Sequence, residues 1–151
     1  MESRRNFVAA LAALALAACG GSGDPGGSPV PFTVIDSSSS AIATQRFVTV
    51  RDNAAWTALW AEHMSGRTPQ PAPPAVDFSR TMVVGVFLGD RPNACYGVAI
   101  QSILHHGNRL TVQYSELTPP VGAVCAQVIT RPAQLATLER SDLPVEFMRL
   151  N

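Results

Sequence analysis

Three cysteines are the residues of this chain whose positions say most about chemistry. Cys19 closes the sequence LAAC, at the end of an apolar run that begins at Phe7 and follows two arginines. A positive start, a short apolar region and small residues before a cysteine are typical of a bacterial lipoprotein signal. The run is also much shorter than the roughly 20 residues of a spanning helix. We therefore predict residues 1–18 as a cleaved signal peptide and Cys19 as the acylated, palmitate-bearing first residue.

The predicted lipid also predicts a location. Acyl chains on Cys19 would hold the protein at a membrane of the bacterial cell envelope, facing the periplasm or the exterior. Gly20 stands where an aspartate would signal inner-membrane retention, which favours the outer membrane if the cell is Gram-negative. The pair Arg4 and Arg5 fits a twin-arginine signal as well as a general export signal, and both routes stay open.

The other two cysteines, Cys95 and Cys125, form an even pair once Cys19 is lipidated. Disulfides persist in the oxidising space outside the cytoplasm, so we expect these two to be bonded to each other. A zinc or redox site is disfavoured because no C-x-x-C and no third ligand at a suitable spacing accompany them.

The remaining nucleophiles, acids and bases show no pattern of an active site. His105 and His106 are adjacent at a predicted strand end and should point to opposite faces, so they cannot grip one metal ion. The sequence contains no G-x-S-x-G motif, the tight turn that exposes a serine nucleophile. Asp77 and Asp90 fit turn or cap positions. We predict no catalytic residue, no metal site, no cofactor and no enzymatic activity.

Composition restricts the possible partners and the domain count. The chain has 11 basic and 11 acidic residues, and all the basic ones are arginines scattered singly, which excludes a nucleic-acid surface. Residues 19–31 are rich in glycine, serine and proline and are predicted to be a flexible tether after the lipidated cysteine. Residues 32–151 have the length of one domain.

Hydrophobic periodicity predicts one helix among strands. Apolar residues recur at helical spacing from Trp56 to Met64, with Asp52 or Asn53 suited to the N-cap and Gly66 to the end. A proline-rich loop at 69–74 should follow. Predicted strands lie at 32–36, 46–50, 81–88, 95–104, 110–115, 124–130, about 134–140 and 145–150, with a hairpin turn at Gly107-Asn108. The expected fold is α+β, a mainly antiparallel, bent β-sheet with one packed amphipathic helix.

A series of short motifs runs along this domain in a characteristic order: Trp56-x-x-Leu59-Trp60, Val76-Asp77-Phe78, the strand Met82–Val86, Gly89-x-Arg91-Pro92, Tyr96-Gly97-Val98-x-Ile100, Gln127–Thr130 with Pro132, and Leu143-Pro144-Val145-x-Phe147. The series resembles the C-terminal domain of the protease complex subunit PrcB family. That resemblance implies a bacterial envelope protein, often a lipoprotein, that accompanies a secreted protease, and it brings no catalytic residues. The chain departs from the family pattern at Ala94-Cys95, where a glycine is expected.

These observations favour a protein-interaction or accessory module over other functions. The expected partner is an envelope protein, such as a secreted protease, with Arg91 and Asn93 as exposed contact positions. The alternative is a periplasmic lipoprotein that binds a small ligand or glycan through the loops Gly89–Ala94 and Thr118–Ala123. A purely structural lipoprotein is a further alternative.

Overall fold

The computed structural model describes residues 26–150 as eight strands and one helix. The strands are β1 (Ser28–Pro29), β2 (Phe32–Asp36), β3 (Arg46–Val50), β4 (Thr81–Phe87), β5 (Gly97–His106), β6 (Arg109–Leu117), β7 (Ala133–Glu139) and β8 (Val145–Arg149). The helix, α1, spans Asn53–His63. The predicted α+β class is confirmed. The predicted signal peptide and Cys19 lie outside the described residues.

The strands form two four-stranded sheets instead of the single bent sheet that the sequence suggested. The outer sheet has the order β1-β5-β6-β8 and the middle sheet the order β2-β7-β4-β3. Among the described strands, β6 and β8 form a parallel pair and the other pairs are antiparallel. The chain crosses between the sheets at residues 30–31, and periodicity alone cannot show which sheet a strand joins.

The apolar residues form two cores, one on each face of the middle sheet. Met82, Val84 and Val86 of β4 face the outer sheet. Val83 and Phe87 face α1 and pack among its tryptophans. Because successive strand side chains point to opposite faces, the near-continuous apolar sequence of β4 lets this one strand contribute to both cores.

The helix forms where its periodicity predicted. The Asp52 carboxylate accepts a hydrogen bond from Ala55 N at 2.8 Å, which confirms Asp52 as the N-cap. Both indoles are buried and also hold the proline-rich loop, since Trp56 Nε1 donates to Pro74 O and Trp60 Nε1 donates to Pro71 O. Gly66, with φ of 80°, lies in the turn that follows. No helix in residues 26–150 has the length and apolarity needed to cross a bilayer.

Two sequence predictions are wrong. Residues 124–130 are not a strand. Isolated backbone hydrogen bonds join these residues to the loop that contains Arg91 and Ala94. They do not form the continuous ladder of hydrogen bonds that a strand would have. The predicted flexible tether, residues 19–31, is also too long at its C-terminal end, because Ser28 and Pro29 pair with His105 and Leu104. Both differences arise from contacts with residues distant in sequence.

The double role of the tryptophans gives a stability prediction. Trp56→Ala in the full chain should lower the free energy of unfolding by about 3–5 kcal/mol, because it removes a fully buried ring. Trp56→Phe should cost less, about 1–2 kcal/mol, by leaving Pro74 O without its donor. Urea unfolding measures both. Ala58→Ser on the exposed face of α1 is the control, and equal midpoints for Trp56→Ala and this control would contradict the prediction.

Candidate functional site

The sequence-predicted site residues within the described range converge at one end of the domain. Cys95 lies in the β4–β5 loop (residues 88–96) and Cys125 in the β6–β7 loop (residues 118–132). The two sulfurs are bonded, with a Cα–Cα distance of 5.6 Å, so the predicted disulfide is present in the structure. The bond joins the two loops that the sequence had suggested as contact segments. Whether Cys19 is lipidated stays a prediction.

Backbone hydrogen bonds fasten the two loops along their length. Arg91 N donates to Thr130 O at 2.7 Å, and Thr130 N donates back to Arg91 O at 3.0 Å. Ala94 N donates to Ala126 O, also at 3.0 Å. The loops therefore form one braced unit in which the disulfide is one of several cross-links.

Arg91 anchors this unit to the outer sheet. Its Nε donates to Glu116 Oε1 at 2.6 Å and its Nη1 donates to Leu88 O at 2.9 Å. Arg149 Nη1 lies 3.1 Å from the other oxygen of Glu116, whose side chain is only 7% exposed. The hydrogen bond from Arg91 lowers the pKa of Glu116 below its ordinary value and so keeps this buried carboxylate ionised. The Arg91 side chain is only 21% exposed, and its guanidinium is occupied by internal partners.

Asn93 is occupied in the same way. Its Oδ1 accepts from Cys95 N at 3.0 Å, and its backbone oxygen accepts from Thr130 Oγ1 at 2.9 Å. The side chain therefore shapes the turn before Cys95. A direct contact of Arg91 or Asn93 with a partner stays a prediction.

One stretch of the braced unit, residues 117–130, is uncharged and exposes several aliphatic side chains. Val121 and Val124 are fully exposed, and Val128 and Ile129 are more than half exposed. The sequence analysis missed Val128 and Ile129 as surface residues because it placed them in a strand.

A groove of about 260 Å³ opens beside this unit. We call it the serine groove, because the residues 37–39 that follow β2 form one wall. The start of β5, at residues 96–98, forms the opposite wall, with Ala94, Leu117 and Thr130 at the rim. The β6–β7 loop thus begins and ends at the edge of the groove.

A polar cluster that the sequence analysis missed lies behind the serine groove. His63 Nε2 lies 3.0 Å from Asp36 Oδ2, which also accepts from Ser38 N and Ser38 Oγ. Burial alone would raise the pKa of Asp36, but the hydrogen bonds from Ser38 and His63 outweigh it and hold this pKa below its ordinary value. The run of four serines at residues 37–40 is the signal for this cluster in the sequence.

The cluster does not have the geometry of a hydrolytic triad. In a triad the serine and the acid contact different ring nitrogens of the histidine. Here Asp36 and Ser38 both approach Nε2, with Ser38 Oγ at 3.5 Å, and His63 Nδ1 is buried without a partner among the described residues. The hydroxyl of Ser38 is bonded to Asp36 at 2.8 Å. The cluster therefore positions the residues after β2 against α1.

A second, wider depression of about 710 Å³ lies between the 77–81 turn and the end of β7. Two of its charged groups are bound internally, since Asp77 accepts from Ser79, and Arg140 Nη1 donates to Arg51 O and Phe78 O. In residues 26–150, no group of three or more His, Cys, Asp or Glu side chains is placed to hold a metal ion.

The Arg91–Glu116 pair gives a prediction that separates a structural from a surface arginine. Arg91→Ala should destabilise the full chain by about 2 kcal/mol, because a buried carboxylate loses a charged donor. Arg109→Ala, in a pair with Glu146 that is largely exposed, should change stability by less than about 0.5 kcal/mol. The pKa of Glu116 is lowered, so its stabilising effect should be present at neutral pH and disappear as the pH falls through that pKa. Urea unfolding at several pH values measures this, and identical effects of the two substitutions would contradict it.

Comparison with known proteins identifies part of the chain. No curated protein and no solved structure matches it significantly. The family model described as PrcB C-terminal matches residues 82–139, from β4 through β7. This range includes both loops, the disulfide and one wall of the serine groove, while β2, β3, α1 and β8 lie outside it. The similarity to the PrcB C-terminal family therefore covers residues 82–139.

Proposed function

We propose that this chain is a lipid-anchored envelope protein whose domain binds a partner protein as an accessory subunit of a secreted protease complex, without catalysing a reaction itself. The main support is the braced, uncharged loop of exposed aliphatic side chains inside a PrcB C-terminal domain. Exposed apolar groups that are clustered and held in place are typical of interaction sites.

Bracing matters because it reduces the entropy lost on binding. A flexible loop must be ordered when it binds, which costs about 0.5–1.5 kcal/mol for each immobilised side chain. The β6–β7 loop is already held by the disulfide and by bonds from Arg91 and Ala94. Burial of Val121, Val124 and Ile129 against a partner would then contribute to affinity with little ordering cost.

The binding of a small ligand or glycan has weaker support. Small-molecule sites are enclosed cavities of roughly 300–1,000 Å³ with a few convergent polar groups. The serine groove is smaller, at about 260 Å³. In the wider depression, Asp77 is engaged by Ser79, and Arg140 is engaged by the backbone oxygens of Arg51 and Phe78.

The anchor belongs to the proposal and rests on the LAAC sequence. We propose that Cys19 carries the lipid and holds the domain at the envelope, at the outer membrane if the cell is Gram-negative. Confinement near other envelope proteins would raise the effective concentration of the partner, so that a modest affinity suffices.

The anchor is tested by replacing the lipidated residue. Cys19→Ser in the full chain should release the protein from the membrane fraction or leave it as an unprocessed precursor, since no thiol can be acylated. The double variant Cys95→Ser/Cys125→Ser is the control, because it removes two thiols and retains the LAAC sequence. Fractionation and intact-mass measurement give the readout. A mature wild-type mass without acyl groups would show that the anchor is wrong.

The accessory role is tested by isolating the native complex in mild detergent through a tag after Asn151. The complex should hydrolyse casein, whereas the separately purified full chain should not. Val121→Asp/Val124→Asp should reduce the recovered proteolytic activity, because two charges would be buried at the interface. Ala72→Asp, in the exposed proline-rich loop, should leave it unchanged. Recovery of no peptidase, or full activity in the chain alone, would refute this role.

A further inference from the structure

The path of the chain between the two sheets leaves one strand edge partly open. β1 lies on the outer edge of β5, where Ser28 is opposite His105 and Pro29 is opposite Leu104. Val30 N donates one more bond, to Ile103 O at 2.8 Å. Pro31 has no N–H to donate, and from Phe32 the chain pairs with β7 of the middle sheet. The N-terminal segment therefore covers only residues 103–105 of this edge.

The uncovered part of the β5 edge points toward the serine groove. Ile100 N donates to Gln134 Oε1 at 2.6 Å, so it faces away from β6. The irregularity in β5 lies beyond Ile100, and alternation holds from Gly97 to Ile100. Val98 therefore directs its N–H and C=O to the same side as Ile100. Val98 also lines the serine groove, opposite the hydroxyl groups of Ser37 and Ser38.

We propose that the serine groove binds an extended, uncharged segment of the partner protein, which hydrogen-bonds to the main chain of Val98 at the open edge of β5. This inference rests on the proposed function, that the domain works by protein contact. Strand addition of this kind takes its affinity from main-chain hydrogen bonds and its selectivity from alternate side chains. Here Val98 supplies the main-chain groups, and the β6–β7 loop supplies the apolar surface.

The charges around the groove favour an uncharged occupant. The uncharged stretch of residues 117–130 is preceded by Glu116 and followed by Arg131 in the sequence. Glu116 is bound by Arg91 and Arg149, and Arg131 Nε is paired with Asp90. A charged segment would lose water at the groove without an available counter-charge, which is costly.

β1 places the N-terminal end of the described chain away from the serine groove. β1 runs antiparallel to β5, so Ser28 lies beside His105 and not beside Val98. Seven residue steps along β5 separate His105 from Val98, a distance of about 23 Å. The described part of the N-terminal segment therefore leaves the groove free for a partner segment.

Photocrosslinking in intact envelopes tests the proposal with the full lipidated chain. Benzoylphenylalanine replaces Ala94, an exposed residue at the groove rim, or Ala58, an exposed residue on α1, as the matched control. The expected result is a protein adduct at position 94 that is absent at position 58. Mass spectrometry should map that adduct to an extended segment without charged residues.

A synthetic peptide of the mapped segment then tests the binding mode on the full chain carrying Cys19→Ser. Ala94→Trp should fill the groove and weaken peptide binding by at least about tenfold, whereas Ala58→Trp should leave it within about twofold. Peptide binding should also protect the Val98 amide from hydrogen exchange. Equal melting temperatures for the two tryptophan variants would show that Ala94→Trp acts in the groove and not on folding.

The results that would overturn the groove proposal differ from those that would overturn the accessory role. A lipid adduct, an adduct with a second copy of the chain, a charged or helical segment, or no adduct at position 94 would overturn the proposal. Unchanged peptide binding by Ala94→Trp, or an unprotected Val98 amide, would also overturn it. If a protease is recovered but position 94 yields no adduct, the groove is wrong and the accessory role stands. If the mapped partner is not a protease, the accessory role is wrong and the groove stands.

Discussion

Burial of β4 on both faces is the constraint on which the rest of the structure depends. One face of the strand closes the core against the outer sheet, and the other closes the core against α1. Each buried aliphatic side chain contributes about 1.5–3 kcal/mol relative to its exposed state, so β4 contributes to the stability of both cores. Its neighbours β3 and β7 are aligned by the same packing. The loop after β4 leaves from a fixed point, and the position of Arg91 follows from it.

The end of the domain that carries the two loops is stabilised by covalent and ionic links instead of a core. The disulfide closes a 30-residue separation, which in the chain-entropy account contributes about 3–4 kcal/mol. Arg91 adds an ion pair with the buried carboxylate of Glu116, which lies in the outer sheet. These links allow aliphatic residues such as Val121 and Val124 to stay exposed without the loop collapsing onto the domain. An exposed apolar loop of this kind is an aggregation hazard unless a partner covers it, which agrees with the proposed accessory role.

The sheet switch at Pro31 connects the fold to the proposed mode of contact. A strand edge left open is normally a liability, and proteins cover such edges or keep them short. Here β1 covers one part of the β5 edge. At another part, the Gln134 side chain accepts a hydrogen bond from Ile100 N. The short interval around Val98 is left between them and faces a groove with uncharged walls. An edge this short limits accidental pairing and still offers backbone groups to one extended segment.

The sequence by itself determined the features that depend on neighbouring residues. Helical spacing located α1, Asp52 was one of two residues suited to its cap, and the apolar residues 81–88 identified β4 as a strand. An even number of cysteines after Cys19 predicted the bond between Cys95 and Cys125. The order of short motifs predicted a PrcB-like domain over residues 32–151, and the PrcB C-terminal family model matches residues 82–139 of it.

Only the tertiary structure decided which distant groups meet. Val124–Thr130 has the composition of a strand, but the disulfide and the bonds from Arg91 and Ala94 hold it as a loop. Arg91 looked like a free surface charge until Glu116, 25 positions away, proved to be its buried partner. The division into two sheets and the serine groove depend on the point near Pro31 where the N-terminal segment stops pairing with β5 and begins to pair with β7. Local propensity cannot encode that choice, because it is made by packing between strands that are far apart in sequence.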